Sequence, residues 1–394
     1  SGDMLAAELV TALRAAIEQQ PCRATRDNQP LDRSLAPRFF GAGGPRMAAA
    51  GVELAVDLTA HAVFGLSEVL RHYRKFKGFF EQLIQLALDR QPDVIILVDY
   101  AGFNRRFAAA IQTRVRAGHG PFNNWRPRIV YYVSPQVWAS RPGRAETLER
   151  DVDLLLSIFP FEQAWYASHA RKLRVEFVGH PMIDRHGPDA AAWRHQLTGP
   201  SSLPDRRREV LLLPGSRVGE VRRHLPAMLE AAKTVAAQVP ARFRLVLPNE
   251  TLASMARPLL SGLAEVTVQI GGLTDALRVA DLAIASSGTV TLECAFFGVP
   301  AVVLYKLSWP TYWMARQIVK VPFIAMPNLL AAERVLPELI QADATPENLA
   351  REALDLLRNE ARRGEVRVKL AQAIGSLGEP GAATRAANAI LTIE

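Results

Sequence analysis

Short, almost wholly apolar runs alternate with longer segments of helical periodicity, and this alternation restricts the folds that the chain can adopt. The runs are residues 93–98, 129–133, 153–158 and 175–178 in the first half, and residues 209–213, 243–247, 266–270, 281–285 and 301–305 in the second. Such runs are typical of parallel strands whose two faces are both covered by helices. The pattern predicts an α/β protein with two Rossmann-like lobes, each built on a doubly wound parallel sheet.

A polar stretch after Gly179-His180-Pro181 separates the two series of runs. It holds one predicted short helix, residues 190–197, and a loop rich in Gly, Pro and Ser, which is the composition of a linker. We expect an N-terminal lobe over residues 1–185 and a C-terminal lobe over residues 186–375. The last segment, residues 376–394, contains a helix that we expect to pack back on the N-terminal lobe.

The N-terminal lobe begins in an unusual way, because Ser1-Gly2-Asp3 leads directly into an amphipathic helix. An α/β lobe ordinarily begins with a central strand. We therefore expect the first strand of this lobe to be missing and its sheet to contain a gap. Ser1 or Asp3 can also cap the helix, which would give them a structural role.

Composition excludes several classes of protein. The only cysteines, Cys22 and Cys294, lie far apart without the spacing of metal ligands, so we expect no disulfide framework, no zinc site and a reducing, cytoplasmic location. No apolar run reaches the length of about 20 residues that a membrane span needs. The net charge of +8 favours acidic partners. Because zinc-finger spacing and RNA-binding aromatic motifs are absent, we expect phosphorylated substrates or an anionic membrane surface rather than nucleic acid.

Two loops of the second series carry polar groups at the end of a strand. Gly215, Ser216 and Arg217 follow the run 209–213 and precede a helix, which brings backbone N–H groups, a hydroxyl and a guanidinium together as in phosphate sites. An ordinary capped turn is the alternative.

The second loop, Ser287-Gly288-Thr289, follows the run 281–285, and Glu293 comes one helical turn later. A carboxylate there can accept hydrogen bonds from ribose hydroxyls, although a simple helix cap would look the same. Two such loops in one parallel sheet favour a nucleoside diphosphate ligand over either structural alternative.

Candidate groups of the first lobe lie at strand ends. Asp99 follows the run 93–98, where a general base would sit, although a capping or buried hydrogen-bonding role is also open. His180 follows the run 175–178 and either orients a substrate or simply ends the strand.

A basic and aromatic segment over residues 64–80 is typical of a helix at a membrane interface, although such helices also cover protein cores. We expect lipid contact from Phe64, Arg71, Tyr73, Arg74, Lys75, Phe76, Lys77, Phe79 and Phe80.

Taken together, the motifs resemble those of the lipid A disaccharide synthase family, and the resemblance covers almost the whole chain. They are residues 40–47 (FGAGGPRM), 99–104 (DYAGFN), 132–139 (YVSPQVWA), 159–162 (FPFE), 178–181 (VGHP), 213–220 (LPGSRVGE), 287–293 (SGTVTLE) and 327–330 (PNLL).

The resemblance implies a GT-B fold, with two lobes facing a cleft, and an inverting, metal-independent hexosyltransferase without a cofactor. Its donor would be UDP-2,3-diacylglucosamine, its acceptor 2,3-diacylglucosamine 1-phosphate, and its products UDP and the β-1,6-linked lipid A disaccharide 1-phosphate of lipopolysaccharide biosynthesis in Gram-negative bacteria. The enzyme would act as a peripheral protein on the inner face of the inner membrane.

The resemblance also implies roles for individual residues. Asp99 would deprotonate the acceptor's 6-hydroxyl, the 215–217 loop would stabilise the departing diphosphate, and Glu293 would hold the ribose. Asn328 would line the cleft on the donor side. Ser1, Asp3, Asn104 and His180 would lie on the acceptor side or in the cleft.

The sequence departs from the family pattern at two places. The family has a strand and a glutamate before Ser1, and a proline where Ala101 stands, two residues after Asp99. Three readings remain open alongside the synthase: another GT-B UDP-sugar transferase, a UDP-sugar epimerase, and a truncated, non-catalytic form that binds nucleotide or lipid. Dimerisation is left open as well.

Overall fold

A computed structural model describes residues 2–19, 37–57, 73–120, 122–186, 207–260 and 265–393. Contacts within the chain divide it into two units. The first contains Ser1–Arg185 together with Gly378–Glu394, and the second contains His186–Leu377. The predicted helix at 190–197 lies outside the described residues.

The first unit begins with helix α1 and then alternates strands and helices. Its elements are α1 (Gly2–Gln19), β1 (Phe40–Gly43), α2 (Pro45–Ala49), β2 (Glu53–Asp57), α3 (Tyr73–Arg90), β3 (Val94–Val98), α4 (Ala101–Gly118), β4 (Arg128–Tyr132), α5 (Val137–Ser140), a 3-10 turn (Pro142–Arg144), α6 (Ala145–Asp151), β5 (Leu154–Ser157), α7 (Pro160–His169), β6 (Arg174–Phe177) and α8 (181–186).

Two separate parallel sheets form the first unit. Strands β1 and β2 pair with each other, and β3, β4, β5 and β6 pair in that order. No strand within the described residues hydrogen-bonds to both sheets. Ile129, Tyr131 and Leu155 are fully buried on the central strands, which explains why those runs are apolar.

The second unit has the same alternation. Its elements are β7 (Arg208–Leu213), α9 (Val218–Ala236), β8 (Ala241–Leu247), α10 (Glu250–Ala256), a 3-10 turn (Arg257–Leu260), β9 (Val266–Ile270), α11 (Leu273–Val279), β10 (Leu282–Ser286), α12 (Thr289–Phe296), β11 (Ala301–Tyr305), α13 (Trp309–Ile318), α14 (Met326–Ala331), β12 (Glu338–Ile340), α15 (Pro346–Arg358) and α16 (Glu360–Gly375).

Six parallel strands form one sheet in the second unit, in the order β12-β11-β10-β7-β8-β9. The chain runs outward from β7 in one direction through β8 and β9, and then outward from β10 in the other through β11 and β12. The direction therefore reverses between the neighbouring strands β7 and β10. Ligands of open α/β sheets bind at the carboxyl ends of the strands on either side of such a switch point.

The last helix, α17 (Ala382–Leu391), belongs to the first unit and packs against α1. Ala386 and Ile390 of α17 are buried, as are Leu5 and Leu9 of α1. The Arg385 guanidinium of α17 also donates a hydrogen bond to the carbonyl of Val178, at 2.8 Å. Helix α17 thus contributes to the same hydrophobic core as α1.

Two features are absent from the described residues. None of the helices is long and apolar enough to cross a membrane. No group of three or more His, Cys, Asp or Glu side chains in these residues has the arrangement of a metal site.

Candidate functional site

The predicted phosphate loop lies at the switch point of the second unit. Strand β7 ends at Leu213, and Gly215 follows with a φ of +119°, a backbone conformation that favours glycine. A Cβ atom added at Gly215 would lie 2.8 Å from the Cβ of Glu220, which is closer than two carbon atoms can approach. Glycine is therefore the residue that this turn accommodates, for conformational and for steric reasons.

The Glu220 carboxylate occupies the position in this loop at which an anion would bind. Glu220 accepts hydrogen bonds from the backbone N–H groups of Ser216 (3.0 Å) and Arg217 (3.2 Å), and from the Arg217 guanidinium (2.8 Å). Two converging amides at the start of α9 favour a negative charge because the helix dipole is positive there. The Arg217 side chain is 80% exposed, so most of its guanidinium faces solvent.

His224 ties this loop to the end of β11, two strands away from β7 in the sheet, a role that the sequence does not reveal. Its ring is buried, Nδ1 lies 2.8 Å from the carbonyl oxygen of Pro214, and Nε2 accepts the N–H of Lys306 at 3.0 Å. Because Nε2 accepts, the proton is on Nδ1 and the imidazole is neutral. Burial lowers the pKa of His224 and so favours this neutral form.

The second predicted loop follows β10, directly beside the first. Ser287 donates its hydroxyl hydrogen to the carbonyl of Ile324 at 2.8 Å, and Gly288 has a φ of +149° at the entrance of α12. Thr289 is the first residue of α12, and Glu293 lies half-buried one turn further on. The structure thus brings the two loops to adjacent strand ends, as the sequence predicts from their positions.

Asn328 lies in the protein interior rather than on a surface that a ligand reaches. Its Nδ2 donates to the Leu336 carbonyl (2.9 Å) and to Glu338 (2.8 Å), and its Oδ1 accepts the N–H of Leu336 (2.8 Å). Glu338 also accepts the backbone N–H groups of Ile324 and Ala325. Through Glu338, Asn328 therefore positions the segment whose Ile324 carbonyl accepts the Ser287 hydroxyl hydrogen. In this conformation it does not contact a ligand directly.

In the first unit, Asp99 has a strained backbone and an exposed side chain. Asp99 and Tyr100 have φ values of +51° and +42°, which only a few per cent of non-glycine residues adopt. The Asp99 carbonyl accepts the Tyr131 hydroxyl (2.7 Å) and the Asn104 amide (2.7 Å), and its N–H donates to the Tyr132 carbonyl (3.0 Å). These bonds hold the strained backbone and leave the carboxylate facing solvent.

Asn104 has a positioning role in the structure. Its Nδ2 donates to the carbonyls of both Val98 and Asp99, at 3.0 and 2.7 Å. A single amide therefore links the end of β3 to the first turn of α4. Asn104 would therefore act on the acceptor indirectly, by positioning Asp99.

Two polar side chains of the family motifs lie near the ends of β4, β5 and β6; Glu162 is buried and His180 is half-buried. Glu162 is fully buried and accepts hydrogen bonds from the Trp138 indole (2.9 Å) and the Phe159 N–H (3.3 Å); burial raises its pKa to about 7. His180 packs against the Phe159 ring, and its Nδ1 accepts the Met182 N–H at 3.1 Å. Burial lowers the pKa of His180 to about 4. Sequence reasoning gave Glu162 no role, although the 159–162 motif contains it.

The predicted residues at the N-terminus are only partly described. Ser1 lies outside the described residues. Asp3 caps α2, not α1, because its carboxylate accepts the N–H groups of Gly44 (2.7 Å), Arg46 (3.1 Å) and Met47 (3.2 Å). This contact is structural, since it fixes the start of α1 to the turn after β1.

The predicted lipid-contacting segment is described only from α3 onward. Phe64 and Arg71 lie outside the described residues, as do the side chains of Tyr73, Arg74 and Lys75. Lys77 is exposed and Phe76 is half-buried, whereas Phe79 and Phe80 pack against the hydrophobic core of the unit.

A row of aromatic rings links Tyr100, the residue after Asp99, to helix α3. Tyr100 stacks on Phe103 at 5.8 Å between ring centroids, Phe103 on Phe107 at 6.2 Å, and Phe80 meets Phe103 edge-on at 5.4 Å. Apolar surface is thereby continuous from the exposed Tyr100 to helix α3.

Comparison with solved structures gives the fold. The UDP-GlcNAc 2-epimerase from Neisseria meningitidis, bound to UDP-GlcNAc, matches with a TM-score of 0.60 at 12% identity, covering 98% of this chain and 97% of that one. The calicheamicin glycosyltransferase CalG4 matches with a TM-score of 0.55 at 16% identity, covering 98% and 94%. The architecture and the two loops therefore define a protein of the GT-B class.

Comparison with sequences gives the family. Residues 1–393 match the family model described as lipid-A-disaccharide synthetase. The lipid-A-disaccharide synthase of Myxococcus xanthus is 39% identical over 401 residues, covering 100% of this chain and 95% of the relative, and that of Geobacter sulfurreducens is 40% identical over 364 residues, covering 92% and 90%. The chain belongs to the lipid-A-disaccharide synthetase family, and its enzyme class is that of the hexosyltransferases.

Proposed function

We propose that this chain transfers 2,3-diacylglucosamine from UDP-2,3-diacylglucosamine to the 6-hydroxyl of 2,3-diacylglucosamine 1-phosphate. The products are UDP and the β-1,6-linked disaccharide 1-phosphate of lipid A. The family match over the full chain supports the reaction. The mechanism is supported by the position of Asp99. Its carboxylate is exposed, and Tyr131 and Asn104 hold its backbone in place.

The reaction is a single displacement with inversion. Asp99 accepts the proton of the acceptor's 6-hydroxyl as this oxygen forms its bond to the anomeric carbon of the donor. The bond between that carbon and the UDP oxygen breaks on the opposite face, and UDP leaves with the electron pair. This scheme uses no metal ion and no cofactor.

The leaving diphosphate gains negative charge, and the second unit offers two sources of positive potential for it. Arg217 exposes its guanidinium beside the start of α9, and Gly288 and Thr289 begin α12 at the next strand. Preorganised dipoles and charges of this kind stabilise the transition state without reorganising during the reaction. Glu293, one turn into α12, accepts hydrogen bonds from the ribose.

Glu220 keeps the phosphate loop in shape. Its carboxylate holds the Ser216 and Arg217 amides together and pairs with the Arg217 guanidinium. The diphosphate therefore meets Arg217 from its exposed side.

We also propose that the first unit contacts an anionic membrane surface through the segment that leads into α3. The segment is rich in Arg, Lys and Phe, and Lys77 is exposed on α3. The aromatic row from Tyr100 to Phe80 gives acyl chains of the acceptor an apolar path beside Asp99. The enzyme then acts as a peripheral protein on the cytoplasmic face of the inner membrane, where His180 shapes the acceptor side through helix α8.

The test is UDP release by the purified chain from both lipid substrates in detergent. We expect Asp99→Asn to lower kcat by about 10²- to 10⁴-fold while the affinity for UDP stays unchanged. Asp93→Asn is the matched control, because Asp93 is an exposed aspartate directly before the same strand. Full turnover in Asp99→Asn would exclude Asp99 as the base, and epimerisation of a soluble UDP-sugar would exclude the transferase reaction.

A further inference from the structure

Helix α13 of the second unit exposes large apolar side chains. Trp309 and Trp313 are each 56% exposed and Met314 is 62% exposed, and no residue of the helix is buried. No other described helix or strand of the second unit packs against it along its length. Exposed apolar surface of this kind commonly marks an interaction site.

The aromatic residues and one cation share a face of α13. Trp309 and Trp313 are four residues apart, as are Tyr312 and Arg316, so each pair lies on one side of the helix. The guanidinium of Arg316 lies 5.7 Å from the ring centroid of Trp313 and 6.0 Å from that of Tyr312. The face is therefore aromatic and positively charged at once.

The charge around α13 has one sign. Residues 306–332 contain the cations Lys306, Arg316 and Lys320 and no aspartate or glutamate, in a chain that has 39 acidic residues among 394. Lys320 is exposed directly after the helix. A partner for this surface must offer negative charge together with apolar groups.

We propose that α13, with Lys306, Arg316 and Lys320, is a second membrane-contact element and binds the surface of an anionic bilayer. Trp and Tyr are the side chains that concentrate at bilayer interfaces, and nearby cations attract anionic headgroups. The inference extends the proposed membrane contact of the first unit to the second. It rests on the proposed function only because an enzyme with lipid substrates works at a membrane surface.

Vesicle binding by the full chain tests the proposal. Vesicles of phosphatidylcholine alone and of phosphatidylcholine mixed with phosphatidylglycerol are sedimented with wild type, with Trp309→Ser/Trp313→Ser and with Arg316→Glu/Lys320→Glu. The matched control is Val279→Ser/Val368→Ser, because Val279 and Val368 are 49% exposed on other helices. Thermal unfolding of each variant checks that the fold is retained.

We expect the tryptophan variant to lose about tenfold or more in affinity for the mixed vesicles, since two interfacial side chains are removed. The charge variant should lose affinity for the mixed vesicles alone, and the control should bind like wild type. Brominated acyl chains should quench tryptophan fluorescence in wild type and much less in the tryptophan variant. This readout separates α13 from any contact made by α3.

Unchanged vesicle binding and quenching in both variants would overturn the proposal. So would loss of a wild-type dimer in the tryptophan variant without vesicles, because the helix would then be an interface between two copies of the chain. Turnover in detergent is measured separately on wild type. Absence of turnover with α13-dependent vesicle binding would reject the proposed reaction and leave the membrane contact standing.

Discussion

Tyr131 donates its hydroxyl hydrogen to the main-chain carbonyl of Asp99, at 2.7 Å. Tyr131 is fully buried on β4, and burial together with the charge of Asp99 raises its pKa, so the hydroxyl remains protonated. The bond fixes a residue whose φ of +51° costs about 1–3 kcal/mol. The exposed carboxylate thus depends on a tyrosine that never contacts the substrate.

Tyr131→Phe should therefore lower kcat without a comparable change in KM, since the base loses its support and the substrate sites are untouched. The free energy of unfolding should fall by about 1 kcal/mol. Tyr132→Phe is the control, because Tyr132 is as buried as Tyr131 and its hydroxyl makes no hydrogen bond to the described residues. Equal kcat values in the two variants would contradict the role of Tyr131.

Gly215→Ala should weaken UDP binding and destabilise the second unit by about 1–3 kcal/mol, because an alanine at φ +119° is strained and its Cβ meets Glu220. Calorimetric titration with UDP measures the first effect and urea unfolding the second. Gly219→Ala is the control: Gly219 lies inside α9, where a Cβ meets only the mobile end of Arg223. Alanine is the better helix former there, so this variant should be neutral or stabilising.

Glu162 should make the protein less stable as the pH rises. Its pKa in the folded state, about 7, is raised from 4.5, so its contribution is fully present below pH 4.5 and is lost as the pH rises through 7. Glu162→Gln does not titrate, so the stability of wild type relative to this variant should fall by about 1–3 kcal/mol between pH 4.5 and 8. Urea midpoints across this range provide the measurement, with the exposed Glu146→Gln as control. Parallel pH curves for wild type and Glu162→Gln would refute the prediction.

His180 should make the protein less stable as the pH falls, which is the opposite of the effect of Glu162. Its pKa is lowered from 6.5 to about 4 by burial, so the stability it contributes is present above pH 6.5 and is lost as the pH falls through 4. His180→Asn keeps an acceptor for the Met182 N–H, because asparagine is a good helix cap, and does not titrate. The variant should unfold less readily than wild type near pH 4 and similarly at pH 7. An identical acid transition in both would contradict this; His119→Asn, an exposed histidine, is the control.

The strand pattern and the two loops could be predicted from sequence because the information is local. The predicted run 209–213 begins one residue later than β7, the run 281–285 is displaced by one residue from β10, and the loops follow from these runs. Strands β1, β2 and β12 were not predicted, since none of them contains an apolar run of four residues and β1 has two glycines in four positions. Short strands with small residues have no distinctive apolar run.

The supporting contacts of the site could not be predicted, because they join distant parts of the chain. His224 and Lys306 are 82 residues apart, and Tyr131 is 32 residues from Asp99. The left-handed backbone at Asp99 and Tyr100 has no sequence signal either, since glycine is the residue that ordinarily marks it. Asn328 was expected to line the site because a motif contains it, and a motif does not distinguish a buried residue from an exposed one.

The return of α17 to the first unit determines the order in which the two units are completed during synthesis. Residues 186–377 form one continuous stretch, so the second unit has all of its chain before α17 is synthesised. The first unit obtains α17, the helix that packs on α1, only when residues 378–394 have been synthesised. The unit that leaves the ribosome first is therefore the one that finishes folding last, against the usual order in multidomain chains.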